Sequence, residues 1–391
     1  MFLAVAELGS LTLASERCHV SQPAVTQALT KLEREAGGAL FERTRAGIFL
    51  SERGRLFEAR IRRAMLRLDG ALAGVSPRLP LTATTAQLRA LVGMTEVQNY
   101  TLAARDLGLA QPTVHRAIAQ IEREAARPMF ERTSFGMVPT RACREIALAA
   151  RLAFSEFQQA EVDLADFDGR EVGQITLGAL PLSRSVLLPA ALAAFRARRP
   201  KLRVTVFDGP YGEMLGAVRR GDMDFMIGAL RDPHPIEDIV QEKLFEDSLS
   251  VVARKGHPLT NMAQGKLGSL VQYPWVVPRS GTPSRLQFDA AFNRARLAPP
   301  DSILECGSIL LMRELLSRSD MLGCISEHQA EAEVSNGLII RLDADVSWTG
   351  RAIGLTYRKD WLPTKAQALL LDMIREAALK MRRGEERAAA T

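Results

Sequence analysis

The strongest constraint on this chain is internal to it: shifted by 89 residues, segment 2–47 aligns with segment 91–136 without a gap. Ser21-Gln22-Pro23-Ala24-Val25 falls on Ala110-Gln111-Pro112-Thr113-Val114, and Phe41-Glu42-Arg43-Thr44 falls on Phe130-Glu131-Arg132-Thr133. Between them Glu33-Arg34-Glu35-Ala36 matches Glu122-Arg123-Glu124-Ala125. The two segments are copies of one module, and any fold must hold both.

Each copy reads as helix, turn, helix. In the second, Leu102, Ala103, Leu107 and Leu109 supply the apolar side of a short helix and its turn, and Val114, Ile118 and Ile121 recur at helical spacing. Leu13, Ala14, Cys18, Val20, Val25, Leu29 and Leu32 stand at the same positions of the first copy. Ser21 suits an N-cap, with Pro23 in the first turn where its missing N–H costs nothing; Ala110 gives the second copy a weaker start. An apolar-Phe-Glu-Arg-Thr strip and a glycine, Gly47 or Gly136, suit a β-hairpin wing. Such a unit fits its second helix to the major groove of DNA and sets wing arginines against phosphates or the minor groove.

The run SQPAVTQALTKLEREAGGALFERT and its counterpart from Asn99 to Thr133 resemble the winged helix-turn-helix of LysR-type transcription regulators. The resemblance implies base reading by Ser21, Gln22, Pro23, Thr26, Gln27 and Lys31 in the first copy. In the second it implies Gln111, Pro112, Thr113, His115, Arg116 and Gln120. Lys31, Arg43, Arg45, Arg116 and Arg132 would hold phosphates. Members of that family usually carry one module, so either both copies read DNA or one serves dimerisation and spacing. The first copy's opening helix is shorter than the second's, which leaves open whether Met1 is the true start.

Two amphipathic stretches follow the modules. Arg53 to Leu72 carries Leu56, Ile61, Met65, Leu68 and Leu72 among five further arginines, and Ala142 to Phe167 carries a similar apolar series. Both resemble the family's linker helix, which pairs subunits; packing on its own module is the simpler reading of the first. Residues 75–80 (VSPRLP) make a joint.

From Gly173 strands alternate with helices in a βαβαβ run, and a second α/β unit follows Leu249–Ala253. RRPKLRVTVFDGPYGEMLGAVRRGDMDFMIGAL and DSLSVVARKGHPL resemble the family's effector domain, a periplasmic-binding-protein-type fold. The expected fold is therefore multidomain: two helix-rich winged helix-turn-helix domains, then a two-lobed α/β domain. The boundaries are 1–51, a linker helix and joint at 52–80, 81–140, a linker helix at 141–170, the effector domain at 171–382 with hinges near 250 and 345, and a flexible tail at 383–391. Ligands of two-lobed folds lie at strand ends, where helix N-termini aim N–H groups inward. The matching residues are Pro181, Leu182, Ser183, Arg184, Pro210, Tyr211, Ser280, Thr282, Ser284 and Arg285, with Ser308 and Ser326 further out. Hydroxyls beside helix starts suit a carboxylate or a sugar hydroxyl, to which Arg184 or Arg285 would add a charged bond, and the resemblance implies an aromatic acid or a sugar-related effector.

Charge agrees with a DNA partner. Of a net +6, residues 1–76 hold 11 Lys/Arg against 8 Asp/Glu and residues 77–151 hold 10 against 6, leaving the remainder near neutral. No apolar run approaches the ~18 residues of a membrane span. The N-terminus has no basic residue ahead of its apolar stretch, and Glu7 interrupts that stretch, so a cytoplasmic location without membrane contact is expected. Cys18, Cys143, Cys306 and Cys324 form no CxxC pair and read as reduced, mostly buried residues, a switch between Cys306 and Cys324 being the alternative.

The five histidines (His19, His115, His234, His257, His328) make no metal spacing, and paired carboxylates such as Glu33/Glu35 read as solvated. No GxGxxG, P-loop or GxSxG is present, so no catalytic residue, metal or cofactor is expected. The partners expected are double-stranded DNA, a small-molecule effector, RNA polymerase and further copies of the chain as a dimer or tetramer. A small-molecule binding protein, or an enzyme with an accessory DNA-binding region, is the alternative.

Overall fold

A computed structural model describes the chain apart from residues 46, 135, 232–235, 262–264 and 390–391, and apart from the side chains of 261, 265, 266 and 382–389. It divides into two compact units, 1–173 and 174–391.

The first unit is the repeat made visible. Helices α1 (Phe2–Leu8), α2 (Leu11–Arg17) and α3 (Gln22–Glu35) precede the hairpin of β1 (Phe41–Thr44) and β2 (Gly47–Leu50), then the long α4 (Glu52–Val75). A single turn, α5 (Leu79–Thr82), leads to the second copy: α6 (Thr85–Val97), α7 (Tyr100–Asp106), α8 (Gln111–Ala125), β3 (Phe130–Thr133), β4 (Gly136–Pro139) and α9 (Arg141–Phe167). The opening helix α6 has 13 residues where α1 has 7. Both wings pair in the same register, Thr44 opposite Gly47 and Thr133 opposite Gly136, and both glycines take positive φ, 137° and 115°. Only glycine adopts such a backbone without strain.

The carboxylate of Glu33, expected in solvent, instead accepts from the backbone N–H groups of Leu40 (2.8 Å) and Phe41 (3.1 Å), and Glu122 accepts from Met129 (2.8 Å) at the equivalent place. An unpartnered N–H at the foot of a wing is costly, and the repeated glutamate satisfies it.

Helix α4 serves both modules. Phe57 and Ile61 pack on the first module's core of Phe2, Val5, Ala14, Val25, Leu29 and Leu40. Ala64, Leu68, Leu72 and Val75 enter the second core with Leu91, Met94, Val114, Ile118, Ile121 and Ile146. Burial of each such Leu or Ile side chain stabilises by roughly 1.5–3 kcal/mol.

The second unit holds two five-stranded sheets. β5 (Gln174–Ala179), the short α10 (Pro181–Ser185), α11 (Leu187–Arg198), β6 (Arg203–Phe207), α12 (Tyr211–Arg220), β7 (Phe225–Ala229) and β8 (Ile239–Asp247) begin the first lobe. The second lobe runs through β9 (Leu249–Ala253), β10 (Gly265–Lys266), α13 (Leu267–Leu270), β11 (Trp275–Val277), α14 (Pro283–Arg294), β12 (Ile303–Glu305) and α15 (Ile309–Ser317). It continues with β13 (Leu322–Ser326), α16 (Glu327–Ser335), β14 (Ile340–Arg341) and β15 (Ala344–Asp345). The chain then returns to the first lobe as β16 (Arg351–Arg358) and α17 (Lys365–Ala389). The sheet orders are β6-β5-β7-β16-β8 and β12-β11-β13-β9-β14. The chain thus crosses between lobes at 247–249 and again at 345–351.

Three details differ from the sequence expectation. Residues 181–185 form their own short helix ahead of α11, with a break at Val186. β8, an edge strand rich in Gln, Glu and Lys, has too little apolar alternation to stand out, as suits an edge that must repel other strands. Helix α17 continues to Ala389 through the stretch 383–389 expected to be a tail, since Arg, Glu and Ala favour helix.

Candidate nucleic-acid interface and ligand cleft

On each module the second helix presents its first turns to solvent. Ser21 caps α3, its hydroxyl accepting from the Ala24 N–H (3.4 Å), while α8 starts on Ala110 with no side-chain cap. Gln22, Pro23, Gln27 and Lys31 are exposed; Thr26 is half-buried and its hydroxyl donates to the Gln22 carbonyl (3.2 Å). On α8 the exposed residues are Gln111, Pro112, Thr113, His115 and Arg116, with the His115 ring 5.3 Å from that of Tyr100. Gln120 turns back into the fold, its carbonyl accepting from Gln87 Nε2 (2.8 Å), and Gln87 in turn closes the capping box of α6. Arg43 and Arg45 in the first wing and Arg132 in the second are exposed. Two polar helix faces, each beside a basic wing, are chemically able to meet base edges and phosphates.

In the second unit the C-terminal ends of β5, β6 and β7 deliver Pro181–Arg184, Pro210–Tyr211 and, unforeseen from sequence, Arg231. Leu182 and Ser183 are buried; the Ser183 hydroxyl donates to the Leu180 (2.7 Å) and Ile227 (3.2 Å) carbonyls, so it closes the turn after β5. Arg184 pairs with Asp208 (2.6 Å) at the surface. Arg231 lies over the Tyr211 ring, 4.4 Å from its centroid, and the buried Tyr211 hydroxyl has no hydrogen-bond partner among the described residues. Burial, with the nearby charge of Arg351, draws the Arg231 pKa below its ordinary value, and among the described residues no carboxylate pairs with it.

The second lobe answers with helix starts. Thr282 caps α14 by accepting from the Arg285 N–H (3.3 Å), Ser308 caps α15 (3.3 Å to Leu311 N), and the Ser280 N–H is held by Glu305 (3.2 Å). Arg285 is committed to Asp289 and Glu305. Ser284 accepts from Arg351, whose guanidinium also reaches Asp247 (2.7 Å) where the chain crosses between lobes. Asp247 further accepts from the Ser326 hydroxyl (2.7 Å) and lies 2.8 Å from His328 Nδ1. Burial works to raise the Asp247 pKa, but the bonds from His328 and Ser326 and the charge and bonds of Arg351 outweigh it and hold the carboxyl below its usual range. Arg231 and Arg351 carry no motif; only the tertiary fold brings them near each other.

A separate concavity of about 540 Å³, lined by Ser248–Val251, Glu327, Arg341–Ala344, Val346 and Trp348, shares none of the expected ligand residues. Its polar wall is closed by Glu327, which pairs with Arg341 and accepts from Ser248. Among the described residues no group of three or more His, Cys, Asp or Glu is placed to hold a metal, and no helix is long and apolar enough to cross a membrane.

Comparison with known proteins agrees with this anatomy. The family model described as LysR substrate binding domain matches residues 168–379, and that of the bacterial regulatory helix-turn-helix protein, lysR family, matches twice, at 1–55 and 85–144. The chain is 37% identical over 378 residues to the HTH-type transcriptional regulator GalR of Pseudomonas putida, covering 96% of this chain and 95% of that one. It is 28% identical over 294 residues to the regulator PcaQ of Agrobacterium fabrum, covering 74% and 94%. Among solved structures it shares its fold with full-length LysG of Corynebacterium glutamicum (TM-score 0.56, 18% identity, 76% of this chain and 98% of that one). CbnR complexed with its target DNA gives a TM-score of 0.52 at 17% identity, covering 75% and 99%. With two helix-turn-helix modules ahead of one effector-binding domain, the chain belongs to the LysR family of DNA-binding transcriptional regulators.

Proposed function

We propose that the regulator responds to a small carboxylate held at the C-terminal ends of β5–β7 by Arg231, against Tyr211. The observation that carries this reading is Arg231 itself: half-buried, lying on an aromatic ring, beside an unpartnered buried hydroxyl, and with no counter-charge among the described residues. A desolvated guanidinium fork is best completed by a planar anion that accepts two parallel hydrogen bonds. The Tyr211 hydroxyl supplies a further donor, and Ser284, held by Arg351, faces the same ligand from the other lobe. Pro181, Pro210, Ser280 and Thr282 shape the rim.

Both modules read DNA in this proposal. Gln22, Pro23, Thr26, Gln27 and Lys31 face one stretch of major groove, Gln111, Pro112, Thr113, His115 and Arg116 face another, and Arg43, Arg45 and Arg132 rest on phosphates. The chain works in the cytoplasm, with RNA polymerase as the partner downstream and further copies of the chain joining it on DNA. LysG is described with a bound effector and CbnR with its target DNA, the two ligands that this reading brings together on one chain. To act as a switch, the ligand must favour one lobe arrangement by several kcal/mol.

Calorimetric titration of the full chain with benzoate, 3-hydroxybenzoate, succinate and gluconate, with glucose as the uncharged control, tests the ligand class. Removing one partner of a desolvated charge pair costs about 2–5 kcal/mol, so Arg231→Met should weaken any carboxylate that binds by at least about 30-fold. Equal binding by the variant, or binding of glucose alone, would overturn the proposal.

A further inference from the structure

We infer that a single chain is a complete two-sided DNA reader: α4 and α9 pair antiparallel within the chain and hold the two recognition helices for two inverted, unlike half-sites about one helical turn apart. The inference rests on the proposal that both modules read DNA, and adds how they are arranged to do so.

The direction of pairing follows from the ion pairs between the helices. Arg53 meets Asp168, Arg60 meets Asp163 (2.8 Å) and Glu156 (3.1 Å), and Arg63 meets Glu156 (3.1 Å). Partners on α9 and its C-cap fall in number as those on α4 rise, so the helices run antiparallel. Each module is joined to its helix by the same device. Ser51 accepts from the Gly54 N–H (3.0 Å) and donates to the Ala39 carbonyl (2.9 Å). Thr140, its counterpart in the repeat, accepts from Cys143 (3.2 Å) and donates to Pro128 (3.4 Å). Like modules fixed alike to the N-termini of two antiparallel helices are related by an approximate two-fold axis. Because Arg63 lies opposite Glu156, Met65 lies near Phe154, its own counterpart in the repeat, and the axis passes through the middle of both helices.

The dimensions suit DNA. α4 has 24 residues, which at ~1.5 Å each makes it about 36 Å long. Modules at opposite ends of such a rod are spaced for half-sites about 34–36 Å apart, one turn of the duplex, and two-fold related modules read inverted sequences. The two faces are not alike: Thr26, Gln27 and Lys31 stand where the second module has His115, Arg116 and Gln120.

Charge specifies the partner of each helix. In the ion pairs described across the seam, the arginines lie on α4 and the acids on α9 or at its C-cap, Asp168. Two copies of α4 placed antiparallel would set Arg63 against Arg67, and two copies of α9 would set Asp163 against Glu145. Like charges across a seam repel, so the pair forms between the unlike helices that one chain supplies.

The test uses the full chain and a duplex pool with a 30-base-pair random window. Selection should return two unlike, inverted half-sites with centres about 10–11 base pairs apart. In the selected duplex, Gln27→Ala should abolish preference in one half-site and Arg116→Ala in the other, each weakening binding about 10- to 100-fold. Adding 5 base pairs between the half-sites should cost at least as much. Mixing the two variants decides whether one chain suffices: no recovery of binding is expected, since no chain then holds an intact pair. Recovery in the mixture would show pairs built from two chains and overturn the inference, as would a single selected half-site sensitive to one variant only. A pool with no enrichment at all would instead refute DNA reading by the modules.

Discussion

Arg60 is 2% exposed at the centre of the α4–α9 seam, with two carboxylates on its guanidinium. Replacing it by Met removes one partner of a buried ionic group and leaves Glu156 and Asp163 facing each other, which costs about 3–5 kcal/mol. Burial already raises the Asp163 pKa, with Arg60 pulling the other way and Glu156 adding to the rise, so in Arg60→Met this carboxyl holds its proton to still higher pH. A native state that binds a proton more tightly than the unfolded chain gains stability as pH falls. The deficit of the variant should therefore shrink from pH 7 to pH 5.

The assay is urea unfolding followed by two probes. All three tryptophans, Trp275, Trp348 and Trp361, lie in the second unit, whereas far-ultraviolet circular dichroism is dominated by helix and includes the first. With a urea slope of about 2–3 kcal/mol per molar, Arg60→Met should move the first unit's dichroism transition down by about 1–2.5 M while fluorescence stays in place. The triple variant Arg60→Met, Glu156→Leu, Asp163→Leu should recover most of the loss, because an apolar seam needs no compensating charge. A deficit below about 1 kcal/mol, or transitions that shift together, would refute the reasoning.

Gly54→Ala should destabilise the first module by about 1–3 kcal/mol, since its added carbon would strike the Leu40 carbonyl; loss of the dichroism transition at lower urea checks it. The depressed pKa of Asp247 gives stability that is present above the ordinary carboxylate range near pH 4 and lost as pH falls through the folded value. Tryptophan-monitored unfolding between pH 3 and 6 should therefore show an acid loss that Asp247→Asn flattens. Of the cysteines, Cys143, Cys306 and Cys324 are buried, and burial pushes the Cys143 thiol up to about 11 and that of Cys324 higher. A thiol reagent should modify Cys18 quickly in the folded chain and the other three only on unfolding.

The modules were legible because a duplicated segment states its own boundaries and because Val114, Ile118 and Ile121 keep helical period. The seam was half legible. α4 carries six arginines, of which composition cannot say that Arg60 is the buried one, yet Glu156 and Asp163 stand seven residues apart on one face of α9 and mark where its partner lies. The ligand cleft was least legible. Hydroxyls at helix starts attract attention, but Thr282, Ser308 and Ser326 serve as caps, and Ser183 closes a turn. Arg231 and Arg351, the residues with charge to offer, gain their meaning only when β7 and β16 become neighbours in a sheet, which no local pattern records.

The seam between α4 and α9 also has a kinetic and dosage consequence. Two reading heads joined by packed helices, as inferred above, would face their second half-site at the effective concentration set by the tether, commonly millimolar for short connections, rather than at the cell's protein concentration. Occupancy of such a site rises with the first power of chain number. A regulator that must first meet a second copy is silent at low abundance and steep at higher abundance; a single chain that holds both readers responds instead in a graded way from its first few molecules.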